Sequence, residues 1–207
     1  MYFQFSYSPH PYTDDPNAII ELWGQFEAVV TERDQSQVLL KLEWNLDGVI
    51  EWLLKNARSI QREQLDGLLP DENLAQALNR MRTLEFANED EEVVWHDRLF
   101  RFYQGHSLRA AFEGSRVPHI ILGMRGNRGE ISLSMNETEM RSFSVQPITT
   151  GALSTGTWAY HFDMADFWRS TLESIHRFVE SWQQHGIHPA AITRAGFLLS
   201  LLKGVSA

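Results

Sequence analysis

The chain has 207 residues, 43% of them hydrophobic and 12% aromatic, a length and composition for which one domain around a single substantial core is expected. It has no cysteine, which excludes disulfides, thiolate metal sites, iron–sulfur clusters and a cysteine nucleophile, and makes the cytoplasm the expected compartment. A formal net charge of −9 argues against a general nucleic-acid binder, since neutralising phosphates takes a concentrated basic surface.

The first predicted element is a half-buried strand over residues 2–7, where aromatic and polar residues alternate from Phe3 onward; Pro9 and Pro11 end it by removing ladder donors. Residues 18–32 carry Ile19, Ile20, Trp23, Phe26, Val29 and Val30, which favours strand, with a helical reading of the first half left open. A turn through 33–36 joins it to a strand over 38–44, with Val38, Leu40, Leu42 and Trp44 on one side. From Asn45 the period becomes helical. Leu46, Val49, Ile50, Leu53 and Leu54 form a stripe, and Glu51 and Lys55 make an i,i+4 pair. A second helix over 71–82 has Leu74, Ala77, Leu78 and Met81 as its stripe and Pro70-Asp71 as its entry.

The acidic run Glu89–Glu92 reads as a solvated link leading to an aromatic strand over 95–103. Gly105-His106-Ser107 then punctuates the passage into a short helix, with Leu108, Ala111 and Phe112 inward, closed by Gly114 and Pro118. Residues 119–124 and 130–135 flank a turn with Gly126 and Gly129 and form a hairpin. Residues 143–160 read as a short strand, a loop and an edge strand around Trp158 and Tyr160. Asp163 caps the longest helix, to about His185, with Phe167, Leu172, Ile175, Phe178, Val179 and Trp182 on its buried face. Gly186 stops it, and a final helix over 189–202 begins with proline and carries Ile192, Phe197, Leu198 and Leu201.

The chemistry-bearing residues are scattered. Eight histidines occur without an HExxH or comparable metal spacing, and His106, beside a helix start, reads as capping or core-satisfying. His96-Asp97-Arg98 offers a base, an acid and a phosphate binder, but on a regular strand Asp97 faces away from the other two. The glycines between Gly123 and Gly129 join two strands and lack the lysine of a phosphate loop, and no GxSxG nucleophile elbow is present. Arginine outnumbers lysine, which occurs only at 41, 55 and 203, and Arg116, Arg125 and Arg128 surround the hairpin, where guanidinium forks match an anionic ligand. The aromatic supply stands out, with seven tryptophans. Most are expected inside, and those left at an edge serve as binding anchors. The amino-terminal stretch has no basic start followed by an apolar core, and no run approaches the roughly 20 apolar residues needed to cross a bilayer, so neither export nor a membrane span is expected.

The blocks Trp44-Asn45-Leu46 to Trp52-Leu53 with Asn56, then Trp95, then His106-Ser107-Leu108 with Ala111, Gly114 and Pro118, and then the hairpin, resemble a group of bacterial proteins related to the regions that precede ImmA/IrrE-type metallopeptidase domains. That resemblance implies a phage-defence, toxin-inhibition or mobile-element setting and a recognition domain regulating a partner. It does not carry peptidase activity, because HExxH is missing.

The resulting expectation is an α+β protein, with an antiparallel sheet of N-terminal strands and a central hairpin packed against several helices and a helical C-terminus. It is read as one domain over 1–207, to which the helices of 163–203 can pack as an appendage. Its expected function is that of a non-enzymatic acidic binding or regulatory protein, immunity-like, antitoxin-like or defence-associated, whose partner is another protein such as a basic toxin or effector. No metal or cofactor is expected. The alternatives are a small hydrolase built on His96, His106 and Glu113, and a nucleotide sensor built on Arg116, Arg125 and Arg128.

Overall fold

A computed structural model describes residues 1–8, 21–32, 35–112, 117–135, 156–185 and 189–206. The protein is α+β, and the described residues form two three-stranded antiparallel sheets. Its contacts divide the described chain into two compact units, residues 1–55 with 163–206, and residues 56–135 with 156–162. The C-terminal helices therefore belong with the N-terminal strands.

In the first unit, β1 (Tyr2–Tyr7), β2 (Trp23–Glu32) and β3 (Gln35–Asn45) pair in chain order. Phe3 and Phe5 bury one face of β1 and meet Phe26 of β2 edge-on, with centroids 4.9 and 5.4 Å away, the arrangement that ring quadrupoles favour. Pairing runs from Glu32↔Gln35 to Trp23↔Asn45, so the β2–β3 join is shorter than the sequence suggested, and residues 33–34 lie outside the described residues. A bulge opposite Ala28 and Val29 inserts Leu39, so that Leu39 and Leu40 are both buried while Val38 leaves the expected stripe and is exposed; Trp44, still in step with Leu40 and Leu42, is exposed near the end of the strand. One extra residue in a period of two is enough to put Val38 out of step with the rest of the stripe.

Helix α1 (Leu46–Arg62) buries the expected Leu46, Val49, Ile50, Leu53 and Leu54, and carries the Glu51–Lys55 pair. Its residues to 55 fall in the first unit and the rest in the second. The long helix, here α5 (Met164–His185), is capped by Asp163, whose carboxylate accepts from the Asp166 amide at 2.8 Å. It packs on β1 and satisfies that strand's outward amides. Phe3 N donates to Thr171 Oγ1 at 3.0 Å and Phe5 N to Ser174 Oγ at 2.9 Å, with both hydroxyls buried, so the edge of the sheet is closed to a further strand there. Helix α6 (Pro189–Ser206) turns Ala191, Ala195, Leu198 and Leu202 inward, whereas Ile192 and Phe197, expected on its buried stripe, stand exposed. Arg194 on that helix holds Asp47 of α1 with both carboxylate oxygens, at 2.6 and 2.8 Å, and also reaches Glu51.

In the second unit, β4 (Ile120–Arg125), β5 (Arg128–Ser134) and β6 (Thr157–Phe162) form the sheet, with β6 at its edge. The β4–β5 hairpin turns on Gly126-Asn127, and Gly126 takes the positive φ of 61° that such a turn requires. Helix α2 (Leu74–Met81) buries the predicted stripe but starts later than expected. Asn73 and Gln76 form a reciprocal capping box, so the chain enters the helix there and not at Pro70-Asp71.

The expected strand over 95–103 is instead the middle of helix α3 (Glu89–His106), and the acidic run before it is that helix's first turn. Asn88 caps the helix by accepting from the Asp90 amide at 2.9 Å, and four carboxylates in the first turn complement the helix dipole. Leu99, Phe102 and His106 are buried and Trp95 is half-buried, a spacing of four, three and four residues along one helical face. After His106 the backbone extends at Ser107 and resumes as the short helix α4 (Leu108–Ala111), with Leu108, Ala111 and Phe112 buried as expected. No helix among the described residues is long and apolar enough to cross a membrane.

Candidate functional site

Helix α3 forms one wall of a pocket of about 230 Å³. Trp95, Leu99 and Phe102 supply its apolar side together with Leu65 and Met81, while Glu63, Gln64, Asp66 and Arg98 stand around it. Two tethers hold this lining. Trp95 Nε1 donates to the Met81 carbonyl at 3.3 Å, fixing the indole across the end of α2, and Gln64 pairs through its side-chain amide with the backbone of Gly126, at 2.7 and 3.2 Å. At the mouth Arg98 makes an ion pair with Asp66, and both are well exposed. An exposed pair of this kind contributes little stability and is readily exchanged for another partner.

His106 lies behind Phe102 with no solvent exposure. Its Nδ1 is 2.9 Å from the Leu122 carbonyl, which only accepts, so that nitrogen carries the proton. Its Nε2 is 3.3 Å from Glu63 Oε2. Burial pulls its pKa below the usual imidazole value of 6.5, against the opposing effects of the Leu122 carbonyl and Glu63. Gly123 makes room for the ring, since a Cβ there would come within 2.9 Å of Nδ1.

A second polar cluster lies under α2. Glu130, fully buried on β5, accepts from the Leu74 amide at 2.7 Å through Oε1 and lies 3.1 Å from His161 Nε2 and 3.5 Å from Arg125 through Oε2. Ser132 Oγ accepts from the Ala75 amide at 3.1 Å and Asn73 Oδ1 from the Gln76 amide at 2.8 Å. Three successive free amides of the helix start thus each have a side-chain acceptor, the demand that every helix N-terminus makes. The carboxylate is occupied in holding the fold together.

The residues singled out from sequence land apart. His96 and His106 share α3 but are ten residues distant, about 15 Å along the axis at 1.5 Å per residue. His96 is half-buried beside Glu92, and Glu113 lies outside the described residues. Arg125 donates to the carbonyls of Glu72 and Pro70 as well as facing Glu130, and Arg128 reaches the His161 carbonyl at 3.4 Å; Arg116 lies outside the described residues. The hairpin arginines therefore bind backbone at the places described. Sequence reasoning misses Glu63, Asp66 and Glu130, isolated acids whose importance comes from what the fold sets beside them, and it misses Trp95 as a pocket wall because the local pattern of residues 95–103 favours a strand. Among the described residues no group of three histidines, aspartates or glutamates is placed to hold a metal ion. Of the tryptophans, Trp168 and Trp182 are buried, Trp23, Trp52, Trp95 and Trp158 half-buried, and Trp44 exposed.

Comparison of the chain with protein-family models, with curated proteins and with solved structures finds no match.

Proposed function

We propose that this chain is a non-enzymatic, acidic binding protein that docks on the basic surface of another protein and seats one cationic side chain of that partner in the α3 pocket. The observation that carries this reading is the pocket's lining, with Trp95, Leu99, Phe102 and Met81 as an apolar floor and the carboxylates of Glu63 and Asp66 beside it. A lysine or arginine side chain has the matching make-up. Its stem fits apolar surface, and its head fits carboxylates and the face of an indole. Size favours the same reading, because about 230 Å³ falls below the roughly 300–1,000 Å³ of small-molecule sites and suits one side chain better than a nucleotide. The net charge of −9 steers such a partner inward. Of the two candidate histidines, His106 is buried with its nitrogens turned to Leu122 and Glu63, and His96 stands far from it, which supports binding over hydrolysis. A basic toxin or effector in the cytoplasm is the partner this chemistry suits, in an immunity-like, antitoxin-like or defence-associated role.

Capture from an extract of the source cell, with the wild-type chain beside Asp66→Lys and Trp95→Ala, tests the reading. The wild type is expected to retain a basic protein at low salt and to release it as salt rises. Asp66→Lys, a change at an exposed position, should weaken retention by more than about tenfold. Undiminished capture by both variants overturns the proposal, and so does turnover of a small molecule by a chain that retains no partner.

A further inference from the structure

Among the described residues, the three most exposed large apolar side chains are Val94 at 69%, Val93 at 63% and Phe100 at 59%, and all three stand on α3. At 100° per residue, Val93, Asp97 and Phe100 share one face of that helix, with Val94 and Arg101 along one flank. Trp95, Leu99 and Phe102, which line the pocket, lie on the opposite face. The outer face is also polarised. Glu89 and Asp90 sit at its N-terminal end, and Arg101, 76% exposed and paired to Asp97, sits toward its C-terminal end.

We propose that a second copy of this chain docks on this face, with the two α3 helices antiparallel about a two-fold axis near Asp97. Antiparallel packing sets Val93 of each copy against Phe100 of the other and brings the acidic first turn, Glu89 and Asp90, alongside Arg101. The charge pattern selects the direction, because a parallel pair would set the acidic first turns together and arginine against arginine, whereas the antiparallel pair brings together only the two Asp97 side chains, each neutralised by Arg101 of its own helix. Arg101 keeps its bond to Asp97 and uses its remaining N–H groups for the acid opposite, as a five-donor guanidinium allows. Both pockets stay open in such a dimer, since they face away from the seam. The proposal does not depend on what the pocket binds.

An interface of one 18-residue helix per copy, about 27 Å long, is small, so the association should be reversible and weak. Sedimentation of the full chain from about 1 to 200 μM at low salt should show monomer passing to dimer, with dimer lost as salt rises. Phe100→Asp should weaken dimerisation by more than about tenfold while leaving the far-ultraviolet circular dichroism unchanged. Asp90→Arg and Arg101→Asp should each weaken it and together restore it, the signature of a direct antiparallel pairing. A chain that stays monomeric throughout that range, a dimer indifferent to Phe100→Asp, or a double exchange that fails to restore association overturns the proposal.

Discussion

The imidazole of His106 lies flat against the ring of Phe102, with centroids 3.9 Å apart and planes 8° from parallel. Phe102 faces the pocket and His106 anchors the turn between α3 and α4 to β4, so the histidine sets the pocket's back wall without meeting a ligand itself. His106→Ala removes the stack and leaves the buried Leu122 carbonyl without its donor. The expected loss is about 1.5–4.5 kcal/mol, from roughly 1–3 for the orphaned acceptor and 0.5–1.5 for the ring pair. Urea unfolding measures it, and partner binding should decline only in proportion to the folded fraction. An unchanged midpoint accompanied by outright loss of function would mean that His106 acts chemically.

The same burial gives the fold a specific response to acid. His106 is held below 6.5, so the unfolded chain takes up this proton at a higher pH than the folded one. Its contribution is complete above about pH 6.5, falls as pH drops toward the lowered folded value, and is constant below it. Three carboxylates act lower down. Glu51 beside Lys55 and Arg194, Glu72 beside Arg80, and Asp97 beside Arg101 are each held below their ordinary values of 4.5, 4.5 and 3.8, and that stabilisation is full above those values and is lost as pH falls through the lowered folded ones. Urea midpoints measured between about pH 7.5 and 5 should therefore decline in the wild type and decline less in His106→Gln. Parallel slopes in the two proteins would rule out His106 as the source.

How far the sequence reveals this molecule depends on the range of the interaction involved. The stripe of α1 was legible because every member lies within one turn of the next, and the buried faces of α2 and, apart from the half-buried Leu172, of α5 were legible on the same ground. Residues 95–103 misled for a physical reason. Val93 and Val94 are β-branched and Phe100 and Phe102 alternate, so local preference favours strand, yet Asn88 and the four acids after it had already committed the chain to a helix. The Asn73–Gln76 box was equally present in the sequence, and Pro70-Asp71 drew attention from it. The pocket and the Glu130 cluster were not legible. Glu63 meets His106 across 43 positions and Glu130 meets Leu74 across 56, and no local period encodes such pairings.

Glu130 offers the clearest separation of charge from shape. Its Oε1 accepts from Leu74 N, the first amide of α2, and a negative charge at a helix start is favourable by about 0.3–2 kcal/mol. Glu130→Gln retains an oxygen for that amide and removes the charge, so a loss of about 1 kcal/mol is expected, with α2 still formed. Glu130→Ala removes the acceptor as well, leaves the Leu74 amide buried without a partner, and opens a void beneath the helix. About 3 kcal/mol should be lost, the order of one unsatisfied buried group together with a small cavity. Hydrogen exchange locates the damage. Protection of the Leu74, Ala75 and Gln76 amides should fall well before that of α1 or β4, because Ser132 and Asn73 each hold only one of the remaining two. Since Trp95 is tethered to the far end of α2 through the Met81 carbonyl, its fluorescence should report the same opening. If Glu130→Gln proves as damaging as Glu130→Ala, charge and not hydrogen bonding is what holds this helix start.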